Sequence, residues 1–185
     1  MAKTELTQKI EKALYEYTNK QGTFGCFEVT IGWFGAERVD YITYDTKGTW
    51  RCYEIKVSKS DFYSSAKKTF VGHFNYFVMP KELYEQVKDD IPSHIGVILD
   101  GNYSAKKAKR QGLGVEEKTL KDSLIRSLSR EADKLYKSAD PEYLNGIKRR
   151  LKKTEEERDR WHREHTKLMS IDYAKYGRRW YEEEE

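Results

Sequence analysis

Three side chains in the stretch 40–56 have the types and spacing to do chemistry: Asp40, Glu54 and Lys56. Glu54 and Lys56 lie two apart in "TWRCYEIKVS", a run whose Trp50, Cys52, Ile55 and Val57 read as a buried strand. Side chains alternate along a strand, so Glu54 and Lys56 share a face with Trp50 and Cys52, and Asp40 shares one with Ile42 and Tyr44. Between the two strands "DTKG", Asp45 to Gly48, makes a tight hairpin with glycine where positive φ is needed. That hairpin sets Asp40 roughly across from Glu54, allowing one residue of bulge. Two buried carboxylates repel each other and lose hydration unless a cation sits between them. Mg²⁺ (or Mn²⁺) binds through one or two carboxylates plus backbone and phosphate oxygens, keeping several waters. A lysine beside it would position or help deprotonate a water attacking a phosphodiester, or stabilise charge on the phosphate.

These residues need a frame. Leu6, Ile10, Ala13, Leu14 and Tyr17 recur at helical spacing and predict a first amphipathic helix from Thr4 to Asn19. Three strand-like runs follow, "FGCFEVTIGWF", "ERVDYITYD" and "TWRCYEIKVS", each rich in β-branched and aromatic residues. Ser60-Asp61 offers an N-cap for a second helix, "FYSSAKKTFVGHF". "FNYFVMP" predicts a strand, "KELYEQVKDDIP" a helix and "HIGVILDG" a further strand. The result is a mixed α/β domain over residues 1–115.

Beyond it the composition changes. Leu120, Leu124, Ile125, Leu128 and Leu135 mark one long helix; Asp140-Pro141 caps another carrying Leu144, Ile147, Leu151, Trp161 and Leu168. The second apolar seam breaks at 154–160, so a helical arm or hairpin over 116–181 is expected rather than a coiled coil. An acidic tail, 182–185, ends the sequence. Charged residues make up 36% and the net charge is +4, compatible with nucleic-acid binding without requiring it. No apolar run approaches a transmembrane span, no signal-peptide pattern follows Met1, and Cys26 and Cys52 form neither a disulfide framework nor a zinc site. A cytoplasmic protein, bacterial or phage-encoded, with no membrane partner is the expectation.

Asp40, a thirteen-residue gap, then Glu54-Ile55-Lys56 resembles the D…(D/E)-x-K signature of the PD-(D/E)xK nucleases, with Val39 where the family name has proline. The element order is similar to that superfamily's restriction-endonuclease-like αβββαβ core. "EVTIGWFGAERVDYITYD", "YEIKVSKSDFYSSAKK", "NYFVMP" and "IGVILD" are similar to the MmcB-like DNA-repair nucleases. The resemblance covers roughly residues 1–110. It implies a Mg²⁺-dependent DNA endonuclease or repair nuclease, with Asp40, Glu54 and the Ile55 carbonyl as metal ligands and Lys56 as the catalytic lysine. Glu28, on the face of Cys26, corresponds to a strand glutamate of the MmcB-like pattern; it either holds a water or a second metal, or faces solvent. Family members that use a first-helix glutamate point to Glu11, for which a solvated helix face is the alternative.

Lys67 and Lys68 on the second helix, and Lys106, Lys107, Lys109 and Arg110 in "YSAKKAKRQG", are candidates for phosphate contacts, the latter alternatively a plain soluble loop. Trp33, Trp50 and the many tyrosines are candidates for stacking on bases, although most of them should be core. His73 and His94 lack metal-pair spacing, and His162 and His165 suit a solvated helix face. Two other functions stay open: a nucleic-acid-binding or protein-interaction module without chemistry, and a buried salt-bridge cluster with a purely structural role. The arm would serve a homodimer or docking onto a larger complex.

Overall fold

The computed structural model describes residues 4–176 except 36 and 66, and not the side chains of 172 and 176. The acidic tail lies outside the described residues. The chain divides into two compact units, Met1–Glu131 and Ala132–Glu185.

Helix α1 (Glu5–Thr18) starts at Thr4, whose Oγ1 accepts the Thr7 N–H at 3.2 Å, and buries Ile10 and Leu14. Strands β1 (Thr23–Thr30), β2 (Arg38–Asp45) and β3 (Trp50–Ile55) form an antiparallel meander. The β2–β3 turn is closed by the Gly48 N–H on the Asp45 carbonyl, and Gly48 takes φ +78°. A short α2 (Lys59–Phe62) leads to β4 (Phe74–Met79), which lies parallel to β3. Helix α3 (Lys81–Val87) and a 3-10 turn at Lys88–Asp90 lead to β5 (Gly96–Leu99), parallel to β4. A three-residue turn, Asp100 to Asn102, with Asp100 and Gly101 at positive φ, then reverses the chain into β6 (Tyr103–Lys106). The sheet order is β1-β2-β3-β4-β5-β6, with three of the five pairings antiparallel. The long helices α4 (Glu117–Ala139) and α5 (Pro141–Tyr176) follow.

Both sheet faces are covered. On one, α1 packs Ile10 and Leu14 against Tyr41, Tyr53, Ile55, Val78 and Ile98. The other carries two separate apolar clusters. Leu120 and Leu124 of α4 join Cys26, Ile42, Trp50 and Cys52 over β1–β3, and Phe62, Leu83 and Val87 cover Phe77, Met79 and Val97 over β4 and β5. Burial of Leu120 and Leu124 is why the first unit extends to Glu131 instead of stopping at residue 115.

The predicted second helix is much shorter than expected. Helix α2 covers four residues and its cap is Ser58, whose Oγ accepts the Asp61 N–H, rather than Ser60-Asp61. The chain through Lys67, Lys68 and Thr69 is irregular because its polar groups are claimed elsewhere: Thr69 N–H binds Glu54 and Gly72 N–H binds Asn75. The basic stretch at 103–112 is not all loop, since Tyr103–Lys106 forms edge strand β6. Both cysteines are buried and neither is in a disulfide, and burial pushes the Cys52 thiol up to about 12. On α5 the apolar positions Leu144, Ile147, Leu151, Trp161 and Leu168 are all exposed, so this helix lacks the packed seam of a hairpin. No described helix is long and apolar enough to cross a membrane.

Candidate active site

Where the two clusters part, the sheet face opens at the C-terminal end of β3. The β2–β3 ladder runs from Tyr44 opposite Trp50 to Tyr41 opposite Tyr53 and then stops. Asp40 and Glu54 would be the next pair, with no bulge between. Instead Asp40 Oδ2 accepts the Ile55 N–H at 2.9 Å, taking the position of a β2 carbonyl. The cause is visible on β1, where Glu28 adopts φ +53° and drops out of its ladder with β2. Side-chain alternation slips there: Cys26 and Val29, three apart, enter one cluster, as do Val39 and Ile42. Glu28 therefore does not lie on the face of Cys26, and Asp40 does not simply follow Ile42. The slip directs Asp40 sideways, toward the end of β3.

Glu54 is 2% exposed. Its Oε1 accepts the Thr69 N–H at 3.1 Å and its Oε2 lies 4.0 Å from Lys56 Nζ. The Asp40 carboxyl lies within hydrogen-bonding reach. Burial, followed by the charge of Asp40, pushes the Glu54 carboxyl up to about 8, against the opposing pull of Thr69 N–H and Lys56. The carboxyl pair thus holds a proton at neutral pH when no cation replaces it. Lys56 is also buried; its N–H bonds the Val78 carbonyl at 2.9 Å and its Nζ reaches Asp61 Oδ1 at 3.5 Å. The Glu54 and Asp61 carboxyl groups thereby flank one ammonium at the mouth of the sheet.

The cleft has a volume of about 450 Å³, and Thr30, Gly35, Glu37, Arg38 and Lys67 line it beside Asp40, Glu54 and Lys56. Its donors are hard oxygens. Asp40 and Glu54 converge, and Ile55 turns its N–H toward β2; N–H and C=O of one strand residue face the same edge, so its carbonyl lies on that side too. Two carboxylates and a carbonyl suit Mg²⁺, which fills its remaining positions with water and phosphate oxygens. Among the described residues no group of three or more His, Cys, Asp or Glu is arranged for a metal. Thr69, which holds Glu54 through its N–H, has a buried Oγ1 without a partner.

No family model and no curated protein matches the chain. A solved structure does. It is a protein of unknown function from Silicibacter pomeroyi, similar with a TM-score of 0.57 and 19% identity over 76% of this chain and 96% of that one. At that identity the likeness concerns the fold alone.

Of the residues singled out in the sequence, Asp40, Glu54, Ile55, Lys56 and Lys67 come together. Lys67 reaches the cleft from the irregular segment and is paired with Glu37. The others are elsewhere. Glu28 pairs with Arg38 Nη1 at 3.6 Å and is not among the described residues lining the cleft. Glu11 sits on α1, which packs against the opposite sheet face. Lys68 lies 5.8 Å from the Phe62 ring in a separate apolar pocket. Lys106 bonds the carbonyls of Ile91 and Pro92 on β6, three strands and roughly 14 Å from β3. Lys107, Lys109 and Arg110 then run toward the other end of the sheet, where Arg110 stacks over Phe74, the neighbour of Arg51. His73 accepts the Trp50 N–H there on Nδ1, and His165 stacks on Trp161 of α5. Asp61, Thr69 and Arg38 were missed by sequence reasoning. Asp61 alone had a signal, five residues beyond Lys56 in a capping turn; the positions of Thr69 and Arg38 depend on tertiary packing.

Proposed function

We propose that the chain is a Mg²⁺- or Mn²⁺-dependent DNA endonuclease or DNA-repair nuclease of the PD-(D/E)xK type, hydrolysing phosphodiesters at Asp40, Glu54 and Lys56. One observation carries this reading: Asp40 leaves its ladder position to meet buried Glu54 beside buried Lys56, in an open cleft. The order α1, β1–β3, α2, β4 supports a restriction-endonuclease-like core. A structural salt-bridge cluster is disfavoured, because burial and then Asp40 push the Glu54 carboxyl up to about 8 despite Lys56, the opposite of what a satisfied ion pair does to a carboxylate.

Asp40, Glu54 and the Ile55 carbonyl would hold the ion, which when bound supplies positive charge to the phosphate and acidifies a water. Lys56, steered by Glu54 and Asp61, points its ammonium into the cleft, where it orients the attacking water and stabilises charge on the phosphate oxygens. The water oxygen bonds to phosphorus, the ester P–O bond breaks, and the departing oxygen takes up a proton. Lys67 would contact the substrate backbone by exchanging Glu37 for phosphate. The reading includes a homodimer formed through the exposed stripe of α5. The test is DNA nicking with Mg²⁺ or Mn²⁺ by the full chain. Asp40→Ala and Lys56→Ala should abolish it while leaving folding intact; salt-sensitive binding without cutting under any divalent ion would make the chain a binding module instead.

A further inference from the structure

The segment between β1 and β2 places two large aromatic rings in solvent at the rim of the cleft. Trp33 is 74% exposed and Phe34 fully so. Leaving rings of this size in water forgoes roughly 1.5–3 kcal/mol each, and nothing in the core asks for them there. The backbone on either side of them is nevertheless held. Ile31 N–H bonds the Glu37 carbonyl at 3.0 Å, and Gly32 N–H bonds Ser123 Oγ at 2.9 Å. Arg126 Nη2 bonds the carbonyls of Thr30 and Gly32 at 2.7 and 2.9 Å. Gly35 is required, because a Cβ there would fall 1.8 Å from the Ile31 carbonyl oxygen. The Arg126 guanidinium lies 5.1 Å from the centre of the Trp33 ring.

We propose that Trp33 and Phe34 form a base-stacking platform, and that the substrate is DNA with a single-stranded segment beside a duplex rather than intact duplex. The proposal rests on the nuclease reading of the cleft and names its substrate class. Gly35 and Glu37 line the cleft itself, so Trp33 lies at most roughly 7 Å of chain from it, about two nucleotide rises along one strand. Paired bases hide their faces in the helical stack, whereas unpaired ones stack on aromatic rings with about 1–3 kcal/mol each. Arg126 favours a nucleic acid over a protein partner: bonded to carbonyls, it keeps its positive charge under the platform.

The test uses the full chain with Asp40→Ala, which cannot cut, and labelled single-stranded, flapped and fully paired oligonucleotides. Flapped and single-stranded DNA should bind more tightly than duplex. Adding Trp33→Ala and Phe34→Ala should weaken that binding by roughly 5- to 150-fold per lost stack while leaving duplex binding unchanged. Trp33→Phe with Phe34→Tyr should restore most of it, which a purely structural role would not require. Equal binding of all three DNAs, or alanine variants that bind like their parent, would overturn the platform. So would absence of binding to any oligonucleotide, which would leave the rings to a protein partner. Wild-type cutting unaffected by the alanine changes would sink the platform and spare the nuclease reading. Ring-dependent binding without cutting under any divalent ion would do the reverse.

Discussion

Glu54 carries a proton that a metal ion would have to displace, and this makes the residue testable before any substrate is known. Its carboxyl titrates near 4.5 in an unfolded chain and at about 8 in the fold. The folded state therefore binds this proton more tightly. The stability it confers is fully present below about pH 4.5 and is lost as pH rises through about 8. Urea unfolding without divalent ions should show that decline, on the order of a few kcal/mol, and Glu54→Gln should flatten it and leave the protein more stable at the alkaline end. Mg²⁺ should bind more strongly as pH rises, because the ion competes with the proton. At the same scale, Lys56→Ala should lower cleavage by about a hundredfold or more without changing the unfolding midpoint by more than a fraction of the core's stability. Asp40, Glu54 and Lys56 were legible as neighbours because the hairpin sets their register, whereas the turn of Asp40 onto the Ile55 N–H was not. Glu28 was misplaced because a positive φ in a non-glycine residue has no sequence signal and reverses the faces beyond it.

Among the elements, α1 and β1 to β5 could be read from their apolar periods and from Asp45–Gly48 and Asp100-Gly101 as turns. Strand β6 could not: Tyr103, Ser104 and Ala105 are exposed, so no alternation marks an edge strand paired through backbone alone. The overlong second helix has a related cause. "SSAKKT" tolerates a helix, but Glu54 captures the Thr69 N–H and stops helical pairing there. The element with most leverage on the cleft is the Ile31–Glu37 segment. Gly35→Ala forces a Cβ onto the Ile31 carbonyl and should cost roughly 1–3 kcal/mol in thermal or urea unfolding, with the rim displaced and DNA affinity reduced. Ser58→Ala removes the α2 cap, costing about 1 kcal/mol, and frees Asp61 from its hold on Lys56; turnover should fall while DNA binding stays.

For the whole molecule, α5 is about 54 Å of helix with an exposed apolar stripe, which a lone helix in water does not need. For the proposed homodimer, a second copy in antiparallel orientation would fit it. Placing Leu144 opposite Trp161 sets Ile147 against the Arg158 stem and Leu151 against Thr154, and brings Lys148 beside Glu155 and Arg150 beside Glu157. A parallel pair would stack Arg158 on itself. Sedimentation should give twice the 21.9 kDa chain mass, falling to one chain in Leu151→Asp. Glu155→Lys with Glu157→Lys should weaken the dimer, and mixing with Lys148→Glu and Arg150→Glu should restore it; a monomer at every concentration would refute the pairing. At the cleft, the deciding experiment is cleavage of a plasmid and a flapped oligonucleotide by the full chain with Mg²⁺ or Mn²⁺, beside Asp40→Ala, Glu54→Ala and Lys56→Ala of matched circular dichroism. Metal-dependent nicking that all three variants lose is the expected result; cutting that survives Asp40→Ala and Glu54→Ala, or none by the wild type with either ion, would rule the nuclease out.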